Sequence, residues 1–251
     1  AQESTVNAQR VFGRKAHALF QVGDFGYWPS GRSGALDDPF YKEEDALDFA
    51  ESVAPANEPF SLSDAAVDRL DAPLYFIRGN HEDFSNLTPI NGDEPRPVAH
   101  GVSYLPDGFR GEIAGIHVFA LGGILRDTHR GRGKREKKRR KAALAALSKD
   151  PRVSDAALLP DTPPDLLLTH SGPADREQRH GSEALQRLLA HGILPLHFYG
   201  HHHRHSVVCS GVGVSVGLRD LTIHGKDARP GAVAVVFWQD CENFTVLVHA
   251  K

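Results

Sequence analysis

The sequence is poor in three residue types, with no methionine, two cysteines and two tryptophans among 251 residues. Since it begins with Ala1 and has no initiator methionine, we expect a further N-terminal piece upstream. Two cysteines are too few for a disulfide scaffold, and we interpret Cys209 and Cys241 as buried thiols of a reducing compartment. No apolar run has the length of a membrane-spanning helix, so the sequence predicts a cytoplasmic protein with no membrane partner.

The chain also lacks a strong excess of either charge. A formal net charge of −3 and a sequence pI of about 6.6 exclude an overall electrostatic preference for nucleic acid or anionic lipid. Hydrophobic residues make up 40% and charged residues 24% of the chain, which is typical of a globular protein. We therefore predict one α/β domain over residues 1–251, while nothing in the sequence indicates the oligomeric state.

One segment departs from this balance. Residues 130–141 are nearly all arginine, lysine or glycine, and an alanine- and leucine-rich stretch predicted to be helical follows at 142–147. Such a segment could neutralise the phosphates of a nucleic acid, although runs of charge are more often solvated faces. We interpret residues 129–147 as a segment that could be inserted in the domain and could add nucleic acid to its partners.

Four apolar segments end abruptly in residues that can bind metal ions. Their composition predicts buried strands near residues 18–22, 74–77, 165–169 and 194–199. Between these strands the sequence predicts helices at 41–53, 61–70 and 182–190. In open α/β sheets, the loops at the carboxyl ends of strands bring side chains together. A lone Asp after a strand is usually a cap or turn residue, but four such ends in one chain favour a shared site. The polar residues at these ends are Asp24, Asn80 with His81, His170, and His201 with His203.

These side chains offer imidazole nitrogens and hard oxygen atoms. This mixture suits manganese, iron or zinc rather than calcium or a zinc ion held by thiolates. A carboxylate such as Asp24 can bridge two ions, and two ions about 3.5–4 Å apart can hold both the attacking and the leaving oxygen of a phosphoryl displacement. If their segment is extended, His201 and His203 project to the same side. His81 is our candidate for the proton donor of this chemistry.

Four short motifs resemble, in order, motifs two to five of the calcineurin-like metallophosphoesterases. They are Gly23-Asp24, Gly79-Asn80-His81-Glu82, Thr169-His170 and Gly200-His201-His202-His203. The resemblance implies a four-layer α/β/β/α sandwich of the metallo-dependent phosphatase type. It also implies a metal-dependent phosphoesterase that hydrolyses a phosphate mono- or diester. The attacking water would be activated by two divalent transition-metal ions, with Mn²⁺ favoured and iron or zinc as alternatives.

The resemblance also implies a role for each matching residue. Asp24 would bridge the two ions, and His203 would bind the second of them. His81 would protonate the leaving oxygen or stabilise the transition state instead of binding metal directly. The first ion would be held, besides Asp24, by Asn80, His170 and His201.

The family's first motif, a strand that ends in Asp-x-His and supplies two ligands to the second ion, has no match before Asp24. Residues 1–15 look like the helix that follows that motif, so we expect the motif upstream of Ala1. Without it, the second ion would have only Asp24 and His203. An Asp-x-His also occurs at Asp127 and His129, where it could replace the missing motif by rearrangement or belong to an ordinary loop.

Arg78 precedes the Gly-Asn-His-Glu motif, as in phosphoprotein phosphatases, where that arginine binds phosphate. A fork of donors suits two phosphate oxygens, but an ion pair at a strand end is an equally good interpretation. The residues after Asp24 are not the Asp-Arg-Gly of protein phosphatases, which argues against that class. Tyr27 and Trp28 could stack on an aromatic leaving group or pack the loop, and we favour packing.

Two other functions remain open at this stage. The chain could be a degenerate family member that binds a phosphorylated ligand or RNA without cleaving it, because the first motif is missing and residues 129–147 are basic. A histidine-rich metal-storage or sensor protein fits less well, because the candidate ligands are scattered over the whole sequence instead of clustered in one tract.

Overall fold

The computed structural model of the chain describes residues 13–27, 72–84, 87, 94–126, 152–155, 158–160, 162, 164–174, 181–191, 196–210, 213–219, 230–240 and 243–248. The helices predicted at 41–53, 61–70 and 142–147 lie outside these ranges, as does the basic run. The described helix is α1 (Glu183–Ala190). The described strands, in chain order, are β1 (Leu19–Gln21), β2 (Leu74–Phe76), β3 (Arg96–Ala99), β4 (Val102–Tyr104), β5 (Phe109–Ile113), β6 (Ile116–Leu121), β7 (Ile124–Arg126), β8 (Val153–Asp155), β9 (Leu166–Thr169), β10 (Leu196–Tyr199), β11 (Ser206–Ser210), β12 (Gly213–Gly217), β13 (Ala234–Trp238) and β14 (Phe244–Val248).

Two mixed sheets form the centre of the molecule. The smaller has the order β1-β2-β4-β3, and the larger has the order β11-β12-β10-β9-β6-β5. In the smaller sheet β1, β2 and β4 are parallel, and in the larger sheet β12, β10, β9 and β6 are parallel. The edge strands β3, β5 and β11 pair antiparallel with their neighbours. All four strands predicted from the sequence therefore run parallel within their sheets, and their carboxyl ends can meet.

The alternation of side chains along the strands produces separate cores. The largest buried cluster contains residues of both sheets, such as Ile77 after β2, Val118 of β6 and Phe198 of β10. Residues that alternate with these, including Leu167 of β9, pack instead on α1. The other face of the smaller sheet carries a third cluster around Phe76. Two sheets packed on each other, with a helix on one outer face, are therefore present in the described residues.

Helix α1 illustrates how local sequence produces this packing. Ser182 is its N-cap, and the Ser182 hydroxyl accepts a hydrogen bond from the Leu185 backbone N–H at 3.3 Å. Glu183 in the first turn suits the positive end of the helix dipole. Leu185 and Leu189 lie one turn apart and are both buried against the larger sheet. The helix predicted at 182–190 is confirmed, and so is the predicted α/β class.

Among the described residues no helix packs on the outer face of the smaller sheet, so the fourth layer of the predicted sandwich stays a prediction. One expectation is wrong: Cys209 is exposed on the edge strand β11, because the side chains of this strand are mostly solvent-facing. Cys241 lies outside the described residues. Within the described part of the chain, no helix combines the length and apolar character that crossing a bilayer requires.

Candidate metal centre

Four of the polar residues predicted to share a site come together at the carboxyl ends of the central strands. Asp24 and Asn80 follow β1 and β2 of the smaller sheet, and His170 and His201 follow β9 and β10 of the larger sheet. Each sheet thus contributes two side chains. The site lies where loops of both sheets meet, as expected for parallel strands of an α/β fold.

His170 is at the middle of this group. Its Nδ1 atom is 2.9 Å from the carbonyl oxygen of Val22, which can only accept, so Nδ1 carries the proton. Its Nε2 atom is 2.9 Å from Asn80 Oδ1 and 3.3 Å from Asp24 Oδ2. The bond to Val22 therefore orients the ring so that Nε2 faces two oxygen atoms.

Asp24 is held by the loop after β2. Its Oδ1 atom accepts hydrogen bonds from the backbone N–H groups of Asn80 at 2.8 Å and His81 at 3.1 Å. Burial by itself would raise the pKa of Asp24, but the attraction and hydrogen bond to His170 outweigh it and bring the pKa well below its ordinary value. Asp24 is therefore an ionised carboxylate with one oxygen fixed by the backbone and the other directed at His170.

His201 completes the group. One ligand atom each from Asp24, His170 and His201 all lie within 4.8 Å of one another. The ring centroids of His170 and His201 are 4.9 Å apart. Burial, reinforced by repulsion from His170, lowers the pKa of His201 to about 4, so this imidazole is neutral at physiological pH and has a lone pair to offer.

The group fits a divalent transition-metal ion. Ligand atoms about 2.0–2.2 Å from one ion lie roughly 3–4.4 Å from each other, which is close to the separations of 2.9 and 3.3 Å around His170 Nε2. Burial alone would lower the pKa of His170, but Asp24 raises it, so the surroundings favour positive charge at Nε2. The same oxygens would stabilise a metal cation there, and imidazole with carboxylate and amide oxygen suits manganese, iron or zinc.

Two glycines of the motifs allow these loops to approach each other. A Cβ atom built on Gly79 would lie 2.0 Å from Asp24 Oδ1, and one built on Gly23 would lie 2.3 Å from His170 Nδ1. Gly23 also has a positive φ of 96°. Any side chain at either position would displace a residue of the candidate site.

The backbone is strained at two of the four residues. Asp24 has φ 56° and His201 has φ 62°, in the left-handed region that non-glycine residues seldom adopt. Such conformations cost roughly 1–3 kcal/mol and persist only where surrounding contacts determine them. For Asp24, the hydrogen bonds to its carboxylate from the neighbouring loop are such contacts.

The segment after β10 is not extended, contrary to the geometry expected for the His-x-His pair. His203 also has a positive φ, of 50°, its side chain is exposed, and it is not part of the three-residue group. His202 Nε2 accepts a hydrogen bond from the Gly172 backbone N–H at 3.3 Å, which connects this loop to the loop that carries His170. His81 is partly buried beside Asp24, and its backbone N–H donates a hydrogen bond to Asp24 Oδ1.

Arg78 is fully buried, and its guanidinium is turned to other protein groups. Its Nη2 atom donates to Asp107 Oδ2 at 2.5 Å and to Ser154 Oγ at 2.7 Å, and its Nε atom donates to Asp107 Oδ2 at 3.0 Å. Asp107 Oδ1 in turn accepts from the Gly122 N–H at 2.9 Å. Of the two interpretations of Arg78, the ion pair is the one these contacts support.

Glu82 is a residue whose role the sequence did not reveal. Its fully buried carboxylate accepts hydrogen bonds from the backbone N–H groups of Phe25 and Tyr27, both at 2.7 Å. Burial, with the nearby charge of Asp24, raises the pKa of Glu82 to about 8 in spite of these bonds. Glu82 shapes the loop after Asp24, and the only sequence signal was its place in the Gly-Asn-His-Glu motif.

Tyr27 is buried, and its ring centroid lies 5.9 Å from that of Phe76, so it packs the loop as favoured from the sequence. Trp28, Asp127 and His129 lie outside the described residues.

Carboxylate, amide and imidazole donors converge at the strand ends of this α/β fold. This arrangement is typical of a metal-binding protein. The model of the calcineurin-like phosphoesterase family matches residues 13–205, and the chain belongs to this family. Membership indicates metal-dependent hydrolysis of phosphate esters. A solved structure similar to this chain is that of TT1561 of Thermus thermophilus, with 13% identity over 63% of this chain and 69% of that one and a TM-score of 0.33. No curated protein matches this chain.

Proposed function

We propose that this chain is a phosphoesterase that hydrolyses a phosphate mono- or diester with the help of divalent metal ions. The observation that carries the proposal is the convergence of Asp24 and Asn80 on Nε2 of His170, with His201 alongside. When bound, divalent ions at such a centre polarise phosphoryl oxygens and make water a better nucleophile at neutral pH. We take Mn²⁺ as the favoured ion, with iron and zinc as alternatives.

The protein's own groups prepare this chemistry. Asp24 has Oδ1 held by two backbone N–H groups, which leaves Oδ2 in a fixed position. His170 has its tautomer set by Val22 and keeps its Nε2 lone pair for the ion. We assign to the side chain of His81 the donation of a proton to the leaving oxygen, because it is beside the group without being part of it.

A second ion is also part of the proposal. His203, together with Asp24, would bind it, as the family pattern implies. His203 is exposed as described, so this ion is supported by the family pattern and not by a convergence of side chains. Three expectations stay predictions. They are a cytoplasmic location, a single domain over 1–251, and a nucleic acid substrate bound by residues 129–147.

The experiment combines metal binding and hydrolysis. Mn²⁺ affinity is measured by electron paramagnetic resonance, and turnover is measured with p-nitrophenyl phosphate and bis-p-nitrophenyl phosphate. Mutation of a residue that only supports a metal ligand typically lowers metal affinity or activity about 10–100-fold. Loss of a direct ligand in His170→Asn should therefore lower both Mn²⁺ affinity and turnover by at least about 100-fold. The matched control is His117→Asn, because His117 is 73% exposed and pairs only at the surface, with Asp165.

His81→Asn separates catalysis from binding. The substitution keeps the backbone N–H that holds Asp24 Oδ1, so this variant should retain Mn²⁺ binding while hydrolysis falls. Turnover that is unaffected by chelator, or by His170→Asn, would contradict the proposal.

The second candidate function is binding of a phosphorylated ligand without turnover. It is favoured by the observation that the described residues bring together the ligands of one ion and leave His203 exposed. Wild-type protein that binds one Mn²⁺ and inorganic phosphate, but hydrolyses neither ester, would support this alternative.

A further inference from the structure

A row of buried polar side chains crosses the larger sheet below the candidate metal centre. His197 of β10 is completely buried, and so are Thr169 of β9 and Ser215 of β12 on either side of it. Thr169 Oγ1 lies 2.8 Å from His197 Nε2, and Ser215 Oγ lies 2.8 Å from His197 Nδ1. Polar groups in an apolar sheet are costly unless they are hydrogen-bonded, and here both ring nitrogens of His197 have a partner.

The direction of these hydrogen bonds is fixed by the number of protons. The Thr169 hydroxyl donates at 2.6 Å to the carbonyl oxygen of Ser171, which can only accept. Thr169 Oγ1 has then used its one proton and must accept from His197 Nε2–H. In the neutral ring Nδ1 is therefore an acceptor, and it accepts a hydrogen bond from the Ser215 hydroxyl. Only one tautomer of His197 satisfies all three bonds.

The chain of bonds ends at the turn that carries His170. Thr169 and Ser171 are the immediate neighbours of His170 in sequence. Ser171 Oγ accepts from the Leu125 backbone N–H at 2.9 Å, so the turn is also held from the side of β7. The ring of Tyr199 stacks on His197 at 5.3 Å and lies so close to Gly172 that a Cβ there would be 2.3 Å from it. The His197 side chain is thus the buried support of residues 169–172.

We propose that His197 is a positioning residue for the metal centre. Through Thr169 it fixes the turn at 169–171 so that Nε2 of His170 stays close to Asp24 and Asn80. This inference rests on the proposed function in that these side chains bind a divalent ion. It assigns to His197 no contact with substrate or metal.

The test uses two amide variants that differ in which ring nitrogen they can imitate. The side-chain amide of His197→Gln reaches the position of Nε2 and can donate to Thr169, whereas that of His197→Asn reaches only the position of Nδ1, next to Ser215. We expect the full-length Gln variant to bind Mn²⁺ within about threefold of wild type. We expect the Asn variant and His197→Phe to bind about 10–100-fold more weakly, the range of supporting residues around metal ligands.

A second pair of variants covers the case in which residue 197 tolerates no change. Thr169→Val keeps the side-chain volume and removes the hydroxyl, whereas Thr169→Ser retains the hydroxyl. The Val variant should lose Mn²⁺ affinity and the Ser variant should retain it. Equal affinity within both pairs would overturn the proposal. So would nuclear magnetic resonance spectra of wild type in which His197 carries its proton on Nδ1, because the chain of bonds would then run the other way.

These outcomes are separate from those of the proposed function. Wild type that binds Mn²⁺ but hydrolyses no ester leaves His197 as a support of the ion and refutes only the hydrolytic activity. Wild type that binds no Mn²⁺ refutes both proposals.

Discussion

The buried ion pair of Arg78 and Asp107 leads to a stability prediction for Arg78→Met. Both side chains are almost fully buried, at 0% and 3% exposure. The substitution removes the cation and its bonds to Asp107 and Ser154, and it leaves the charge of Asp107 in the interior. Removing one partner of a buried pair typically costs about 3–5 kcal/mol of unfolding free energy. For a chain of this size that corresponds to a decrease in melting temperature of roughly 6–20 °C.

The measurement is urea unfolding of wild type and variant, followed by circular dichroism. Arg187→Met is the matched control, because Arg187 makes an i,i+4 pair with Glu183 on the exposed face of α1. Its side chain is 44% exposed, and such surface pairs contribute about 0.2–1 kcal/mol. The same chemical change should therefore have a much smaller effect at residue 187.

The result also decides what Arg78 does. If Arg78 bound phosphate from an accessible position, Arg78→Met would raise KM for aryl phosphates and leave the unfolding free energy close to that of wild type. That combination would refute the reasoning from burial. A large loss of stability supports the ion pair.

Two further predictions follow from other residues. Gly79→Ala should weaken Mn²⁺ binding by at least about tenfold, because its Cβ would displace Asp24 Oδ1. The control is Gly115→Ala, which strains a left-handed backbone of φ 80° but whose Cβ meets no other atom, so it should lower stability and leave Mn²⁺ affinity unchanged. Equal Mn²⁺ affinities of the two variants would contradict this. Burial lowers the pKa of His197 to about 3 from 6.5, so the unfolded chain binds a proton as the pH falls below about 6.5 and the folded chain does not. The stability attributable to this residue is complete above pH 6.5 and should decrease by about 2 kcal/mol at pH 5, a loss that His197→Gln should not show in urea unfolding.

The sequence was sufficient to predict the strand ends, because the signal is local. An apolar run followed by a polar residue identifies each strand and the loop after it, and parallel pairing then brings the loops to one side. Asp24, Asn80, His170 and His201 are near one another for this reason. The signal for the helix at 182–190 was equally local, and Ser182 forms its N-cap in the structure.

Contacts between distant residues could not be predicted in this way. Arg78 and Asp107 are 29 positions apart, and Glu82 accepts bonds from residues 55 and 57 positions away. No periodicity specifies such pairs, since they depend on how the loops pack. The left-handed backbone at His201 was missed for the same reason, because its intrinsic preference is unfavourable and the tertiary structure overrides it.

Because two of the four side chains come from each sheet, the stability of the protein would depend on the supply of the metal ion. An ion held by all four would cross-link the two halves of the sandwich, so its binding energy would add to the cohesion between them. At a free concentration about 100 times the dissociation constant the gain is about 2.7 kcal/mol. Cells that run short of the metal would then hold a protein that is easier to unfold and degrade, and the supply of the ion would set the amount of the protein as well as its activity.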